Sequence, residues 1–173
     1  MAKAIIPTKA LLFAGVLTSS DQLVLSTLKE MGARYGKIDT ITQKIPFDLS
    51  SYYNSIGENL YKIFFSFTEL VDRNMIAEIK IFTNNLEEKL SSSHETRKIN
   101  IDPGYLTLSN VFLASCKEYY HRMYVDRGVY LENEYYFTKG KFEFFDWTYP
   151  DYKKDDYLDY FMMLRKKYRL MFS

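Results

Sequence analysis

Lys9-Ala10-Leu11-Leu12-Phe13-Ala14-Gly15-Val16-Leu17 is a nearly continuous apolar run, about one strand long and short for a core helix. With no polar alternation, it predicts a strand covered on both faces. Next come Ser19, Ser20 and Asp21, good cap residues for a helix through about Tyr35. Val24, Leu28 and Met31 give that helix an apolar stripe, and Gly32 and Gly36 are candidates for its end. Lys37–Phe47 alternates weakly and predicts a second strand, with Pro46 marking an edge or a terminus. Leu60–Leu70 predicts a third, with Tyr61, Ile63, Phe65 and Phe67 on one face. Asp72 is positioned to cap a helix striped by Ile76, Ile79, Leu86 and Leu90. The order β-α-β-β-α opens a ferredoxin-like split βαβ unit. It predicts an antiparallel or mixed sheet with both helices on one face.

The second half is strand-rich. Val111–Ser115, Arg122–Val125, Val129–Phe137 and Lys141–Trp147 are separated by short turns, two of them centred on Gly128 and Gly140. A Lys139-Gly140 loop would pair Phe137 with Phe142 and Tyr135 with Phe144. Asp155 or Asp156 would cap a last helix striped by Tyr157, Phe161, Leu164 and Tyr168. The expectation is therefore an α+β fold: a ferredoxin-like β-α-β-β-α start extended by antiparallel hairpins and a C-terminal helix, in one domain over residues 1–173.

Composition narrows the function. The net charge of +1 argues against nonspecific binding to duplex DNA, which needs many uncompensated cations. Cys116 is the only cysteine, so no internal disulfide forms. No apolar run approaches the ~20 residues of a membrane span, and no signal pattern opens the chain. These features predict a cytoplasmic protein without a membrane segment. Aromatics make up 17% of the chain, and 13 of the 34 residues in Tyr119–Tyr152 are aromatic. Sheet and core packing accounts for most such rings.

Several chemistries lack their residues. There is no Gly-x-x-x-x-Gly-Lys-Ser/Thr loop to cradle phosphates and no Asn-Lys-x-Asp segment to read guanine. There is no Gly-x-Ser-x-Gly elbow, and two histidines with one cysteine make no Cys/His zinc site. His94-Glu95-Thr96 is a His-x-Thr tripeptide, but two-histidine phosphoesterase chemistry needs a second one, and His121 is followed by Arg122-Met123. No motif names a cofactor.

Three groups remain as candidates. Asp102-Pro103-Gly104 suits a type II turn, which would set Asn100, Asp102 and Tyr105 on a loop rim beside Arg97 and Lys98. Lys117, His121 and Arg122 could bind an anion and move a proton, although in a strand His121 and Arg122 would face opposite ways. Glu132 and Glu134 share a strand face, where a solvated surface is the expectation. Cys116 is expected to be a small buried hydrophobe.

Asn100-Ile101-Asp102-Pro103-Gly104-Tyr105-Leu106-Thr107-Leu108-Ser109, Lys117 with His121-Arg122-Met123-Tyr124, and Trp147-Thr148-Tyr149-Pro150-Asp151-Tyr152 resemble the signatures of an uncharacterised bacterial domain-of-unknown-function family. The likeness extends to Ile45-Pro46-Phe47-Asp48 and Tyr52-Tyr53, and so covers nearly the whole chain. Some members of that family carry the label "GTP-binding protein", for which this chain has neither phosphate loop nor guanine-reading motif. The resemblance implies that the signature segments converge. The expected function is a small-ligand site for an anion such as a nucleotide or other phosphate compound. Asn100, Asp102, Lys117, His121 and Arg122 would supply polar contacts, with Tyr105, Trp147 and Tyr149 as walls. In an enzyme, His121 would be the acid/base and Arg122 the charge stabiliser. The alternative is a noncatalytic module that holds a protein or single-stranded RNA on an aromatic sheet face.

Overall fold

The computed structural model describes residues 1–48, 56–91 and 97–172. The apolar run forms β1 (Ala10–Thr18), buried along its whole length. It leads through α1 (Asp21–Tyr35), β2 (Ile38–Ile41) and β3 (Ile45–Pro46) to β4 (Tyr61–Val71), α2 (Ile76–Leu90) and β5 (Ile99–Leu106). Then come β6 (Asn110–Ser115), β7 (Met123–Asp126), β8 (Val129–Thr138), β9 (Lys141–Phe144) and α3 (Asp155–Leu170). The fold is α+β, with a nine-stranded sheet in the order β2-β4-β1-β5-β6-β8-β7. All its pairings are antiparallel; β3 pairs with β4, and β9 with β8. The order β2-β4-β1-β5 is that of the ferredoxin-like unit, and the hairpins widen the sheet from β5.

Each helix packs where its stripe predicts. Val24 and Met31 of α1 and Ile79 and Leu86 of α2 cover Leu12, Ala14, Val16, Ile99 and Ile101 on one face. On the other face Tyr157, Phe161, Leu164 and Tyr168 of α3 cover Leu11, Phe13, Phe64 and Tyr135. The sheet is thus a middle layer between two helical ones, which is why β1 carries no polar residue until Thr18. The Lys139-Gly140 turn has φ of 48° and 87°, and Phe137 pairs with Phe142 and Tyr135 with Phe144 as the loop length requires.

Some local expectations are corrected. Lys37–Phe47 is divided into two short strands, both on β4. Asp72 caps a 3-10 turn, Arg73–Met75, with no side-chain bond, and α3 begins after Lys154 with its two aspartates in the first turn. The main correction is Asp102-Pro103-Gly104, which is no turn but the middle of β5. The strand pairs with β1 over Ile99–Leu106, whereas its pairing with β6 covers only Gly104–Leu106. Pro103 has no N–H to continue a ladder, so β5 and β6 part there. Gly104 lets them meet just before they part: a Cβ on it would lie 2.2 Å from the Phe112 carbonyl oxygen and 2.6 Å from the Phe13 ring. Gly104→Ala should therefore cost about 2 kcal/mol or more, read as a lowered urea midpoint, because backbone rather than a flexible side chain blocks the added methyl.

Candidate functional site

The parting of β5 and β6 leaves outward backbone groups on β5 without a neighbouring strand. Charged side chains serve them instead. Ile101 N–H donates to Glu87 Oε1 at 2.6 Å, and Lys80 Nζ donates to the Ile101 carbonyl at 3.1 Å. Arg97 Nε donates to the Ile99 carbonyl at 3.0 Å, and its Nη2 bonds Glu87 Oε2 at 2.6 Å and also reaches Asn100 Oδ1. Glu87 and Lys80 come from the buried face of α2, one position along from the apolar Leu86 and Ile79.

The gap opens into a cleft of about 820 Å³. Its walls are Lys80, Asn84 and Glu87 of α2, Asn100 and Asp102 of β5, and Leu113–Lys117 at the end of β6. Arg122, Glu132 and the segment Tyr149–Tyr152 close the far side. Asn100 Nδ2 donates to Asp102 Oδ2 at 2.5 Å, and the Asp102 carboxylate lies 3.7 Å from Lys62 Nζ and 3.9 Å from Lys80 Nζ. Lys62 also donates to Asp151 Oδ2 at 3.1 Å. Burial alone would lower the Lys62 ammonium, but Asp151 and Asp102 together reverse this and hold it above its ordinary value. Gly15, paired with both Phe64 and Asp102, clears the way for Lys62: a Cβ there would lie 3.4 Å from Lys62 Cε and 2.9 Å from the Phe64 ring.

A second polar cluster forms the opposite wall. His121 and Arg122 lie in the turn before β7 and not in a strand, so they do not point apart. Both hold Glu132: His121 Nε2 is 2.7 Å from Oε1, and Arg122 Nε donates to Oε2 at 2.7 Å. Arg122 also donates to Tyr149 Oη at 2.7 Å and to the Lys117 carbonyl at 2.9 Å. The solvated-face expectation for Glu132 and Glu134 is overturned, since both are buried. The register slips between Val111 and Phe112, which pair with Tyr135 and Asn133, so Glu134 is the extra residue of a β-bulge. Glu134 Oε2 accepts the Tyr149 N–H at 3.2 Å. Burial, reinforced by the charge of Glu132, pushes its carboxyl well above the usual range. Cys116 is exposed rather than buried, and Asn84 Nδ2 donates to its sulfur at 3.3 Å.

Of the eight residues singled out in the sequence, Asn100, Asp102, Lys117, Arg122 and Tyr149 line this one cleft. His121 and Trp147 line a smaller recess beside it. Tyr105 does not reach it, being 6% exposed in a core cluster with Ala10, Ile76 and Ala77. The sequence reading missed Lys62, Lys80, Glu87 and Asp151. A lysine directly before the apolar run Ile63-Phe64-Phe65 is the one available signal for Lys62. His94, Tyr52 and Tyr53 lie outside the described residues. Among the described residues no group of three or more His, Cys, Asp or Glu is placed to hold a metal ion, and no helix is long and apolar enough to cross a membrane.

Residues 8–168 match the family described as "Domain of unknown function (DUF4416)". The chain belongs to that family. No curated protein and no solved structure matches it. The DUF4416 match runs from the start of β1 to the last turns of α3, so it takes in the strand parting and both clusters.

The buried Glu134 offers a test of this DUF4416 site. A carboxyl whose folded-state pKa lies above the unfolded 4.5 keeps its proton only in the folded chain. Its stabilising contribution is full below pH 4.5 and is lost as pH rises through the folded value. Glu134→Gln removes that proton dependence. Its stability by urea unfolding should gain steadily on the wild type as pH rises above 4.5, and the wild type's decline, up to about 1.4 kcal/mol per pH unit for one proton, should flatten.

Proposed function

We propose that the cleft binds a small ligand bearing an anionic group, of the phosphate-compound class. The observation carrying this is the convergence of segments far apart in the sequence on one cavity with buried charge. Its size is that of a small-molecule site, and its lining includes Lys62, Lys80, Glu87, Asn100, Glu132 and Asp151, all buried. A chain gains little stability by replacing apolar packing with ion pairs, so such a concentration favours a ligand role. The lining holds five cations (Lys62, Lys80, Arg97, Lys117, Arg122) and five acids (Glu87, Glu88, Asp102, Glu132, Asp151), so it carries no strong net field. Specificity then comes from placement: the anion belongs at Lys117 and Arg122, while Asn100 and Asp102 receive hydroxyl or amino groups of the same ligand.

Arg122 has a divided role. Three of its bonds go to Glu132, Tyr149 and the Lys117 carbonyl, so it braces the wall as well as lining it. The exposed rings of Tyr119, Tyr120 and Tyr124 favour the second reading, an aromatic surface for protein or single-stranded RNA.

A thermal-shift and calorimetric screen of sugar phosphates, nucleotides and carboxylates separates the two readings. At about 100 times its Kd, a ligand of the cleft should add about 2.7 kcal/mol of stability. Lys117→Ala should weaken it about tenfold or more. Arg122→Ala should lose both binding and stability, because it strips Glu132 of its ion-pair partner. GTP should show no submicromolar, EDTA-sensitive binding, because the phosphate loop is absent. A blank screen together with tight binding of an RNA oligonucleotide would favour the second reading.

A further inference from the structure

The recess beside the cleft, about 470 Å³, is lined by the 117–122 segment, Glu132, Trp147 and Tyr149. Its rim is aromatic, with Tyr119 58% and Tyr120 78% exposed. Within it lies His121, whose side chain is only 6% exposed. The Glu132 carboxylate, bonded by Arg122, accepts hydrogen bonds, so Nε2 of His121 is the donor of the bond between them. In the neutral ring Nδ1 is then a bare acceptor. That atom is buried and has no partner among the described residues. A buried acceptor without a donor is costly, which marks the place where a donor is wanted.

The ring around that acceptor is already oriented. Trp147 stacks on one face of the imidazole at 5.1 Å and 8°, and Trp147 is in turn stacked on Phe145 at 4.6 Å and 5°. The indole is fixed by its own bond to the Asn133 carbonyl at 3.1 Å. Tyr119 and Tyr120 meet the imidazole nearly edge-on at 5.2 and 4.8 Å. Being exposed, they are the side chains a ligand can displace to reach Nδ1. Lys117, Arg122, Glu132 and Tyr149 line both cavities, so one molecule can occupy the two together.

We propose that the recess seats a planar ring carrying an N–H or O–H donor, bonded to His121 Nδ1 and stacked on Tyr119 or Tyr120. That ring and the anionic group in the cleft belong to one molecule of the nucleoside monophosphate type. The proposal rests on the anion-binding reading of the cleft. Glu132 is a positioning residue, which fixes the tautomer and orientation of His121.

Trp147 is the only tryptophan of the chain, so its emission reports the recess directly. The full chain is titrated with adenosine 5′-monophosphate, guanosine 5′-monophosphate and ribose 5-phosphate, by calorimetry and by Trp147 fluorescence. At least one nucleotide should bind about tenfold or more tighter than ribose 5-phosphate, the scale of one base–aromatic stack, and should change the Trp147 emission. His121→Phe keeps a ring against Trp147 but removes Nδ1. It and Tyr120→Ala should abolish the preference, and Tyr120→Ala, at an exposed ring that does not line the cleft, should leave ribose 5-phosphate affinity unchanged. Tyr120 is exposed, so its variant tests the proposal even if His121→Phe fails to fold. Equal affinity for the sugar phosphate and the nucleotides, with silent Trp147 emission, overturns the recess and leaves the anion site standing. Binding of none of the three overturns the nucleotide class. If the wider anion screen is also blank, the reading of the cleft fails with it.

Discussion

Ile101 is bonded through its N–H to Glu87 and through its carbonyl to Lys80, and this pair of bonds decides what kind of sheet the chain builds. A central strand ordinarily gives its outward groups to the next strand. Here α2 supplies an acid and a base in their place, which lets β6 leave β5 while both backbone groups of Ile101 stay paired. Taking Glu87 and Lys80 into the interior creates further demands. Burial holds the Glu87 carboxyl above its ordinary value, against the opposing pull of Lys80, Arg97 and the Ile101 N–H. Lys80 lies against Asp102, Asp102 against Lys62, and Lys62 against Asp151. Charge of alternating sign therefore runs from α2 through the open sheet to the segment before α3. Breaking one link would leave a buried charge without its counterpart, which is far more costly than the pair is worth.

The opposite wall obeys the same constraint with different residues. Glu132 faces the cleft from β8, where Arg122 pairs with one carboxylate oxygen and His121 bonds the other. The bulge that adds Glu134 places a second carboxyl close behind, and two neighbouring acids cannot both ionise cheaply in so dry a place. Glu132 is bonded by two partners, and burial together with the charge of Glu132 pushes Glu134 towards its neutral form. The Tyr149 N–H and hydroxyl join the two, one bonding Glu134 and the other Arg122. The turn before β7, the middle of β8 and the segment leading to α3 are thereby tied into one rigid edge.

Local pattern made much of the fold legible. The unbroken apolar run of β1, the helix stripes and the Lys139-Gly140 hairpin register follow from periodicity and from positive φ at a two-residue turn, both of which act over a few residues. Asp102-Pro103-Gly104 shows where that logic stops. Its residues suit a turn, yet the pairing of Ala14 with Pro103 and the close passage of Phe112 past Gly104 keep the segment extended. Similarly, His121 and Arg122 read as strand neighbours facing apart, whereas a turn brings both onto Glu132. Tyr105 was grouped with the site by its place in a signature, but strand alternation puts it on the side of Ile76 and Ala77, away from the cleft.

The sequence by itself determined the element order apart from β5 and the division of the second strand, together with the antiparallel hairpins, the apolar faces of the three helices and five of the residues that meet in the cleft. These depend on the period of a helix or strand and on the conformational limits of glycine and proline. Only the tertiary structure decided that the sheet opens at Pro103, that Lys62, Lys80, Glu87 and Asp151 are buried partners, and that His121 stands in a recess of its own. The physical reason is that burial and charge pairing are set by what lies across the sheet. Lys80 and Glu87 sit on α2 with nothing in their own segment to show that they would serve the backbone of Ile101, fourteen or more residues further along the chain.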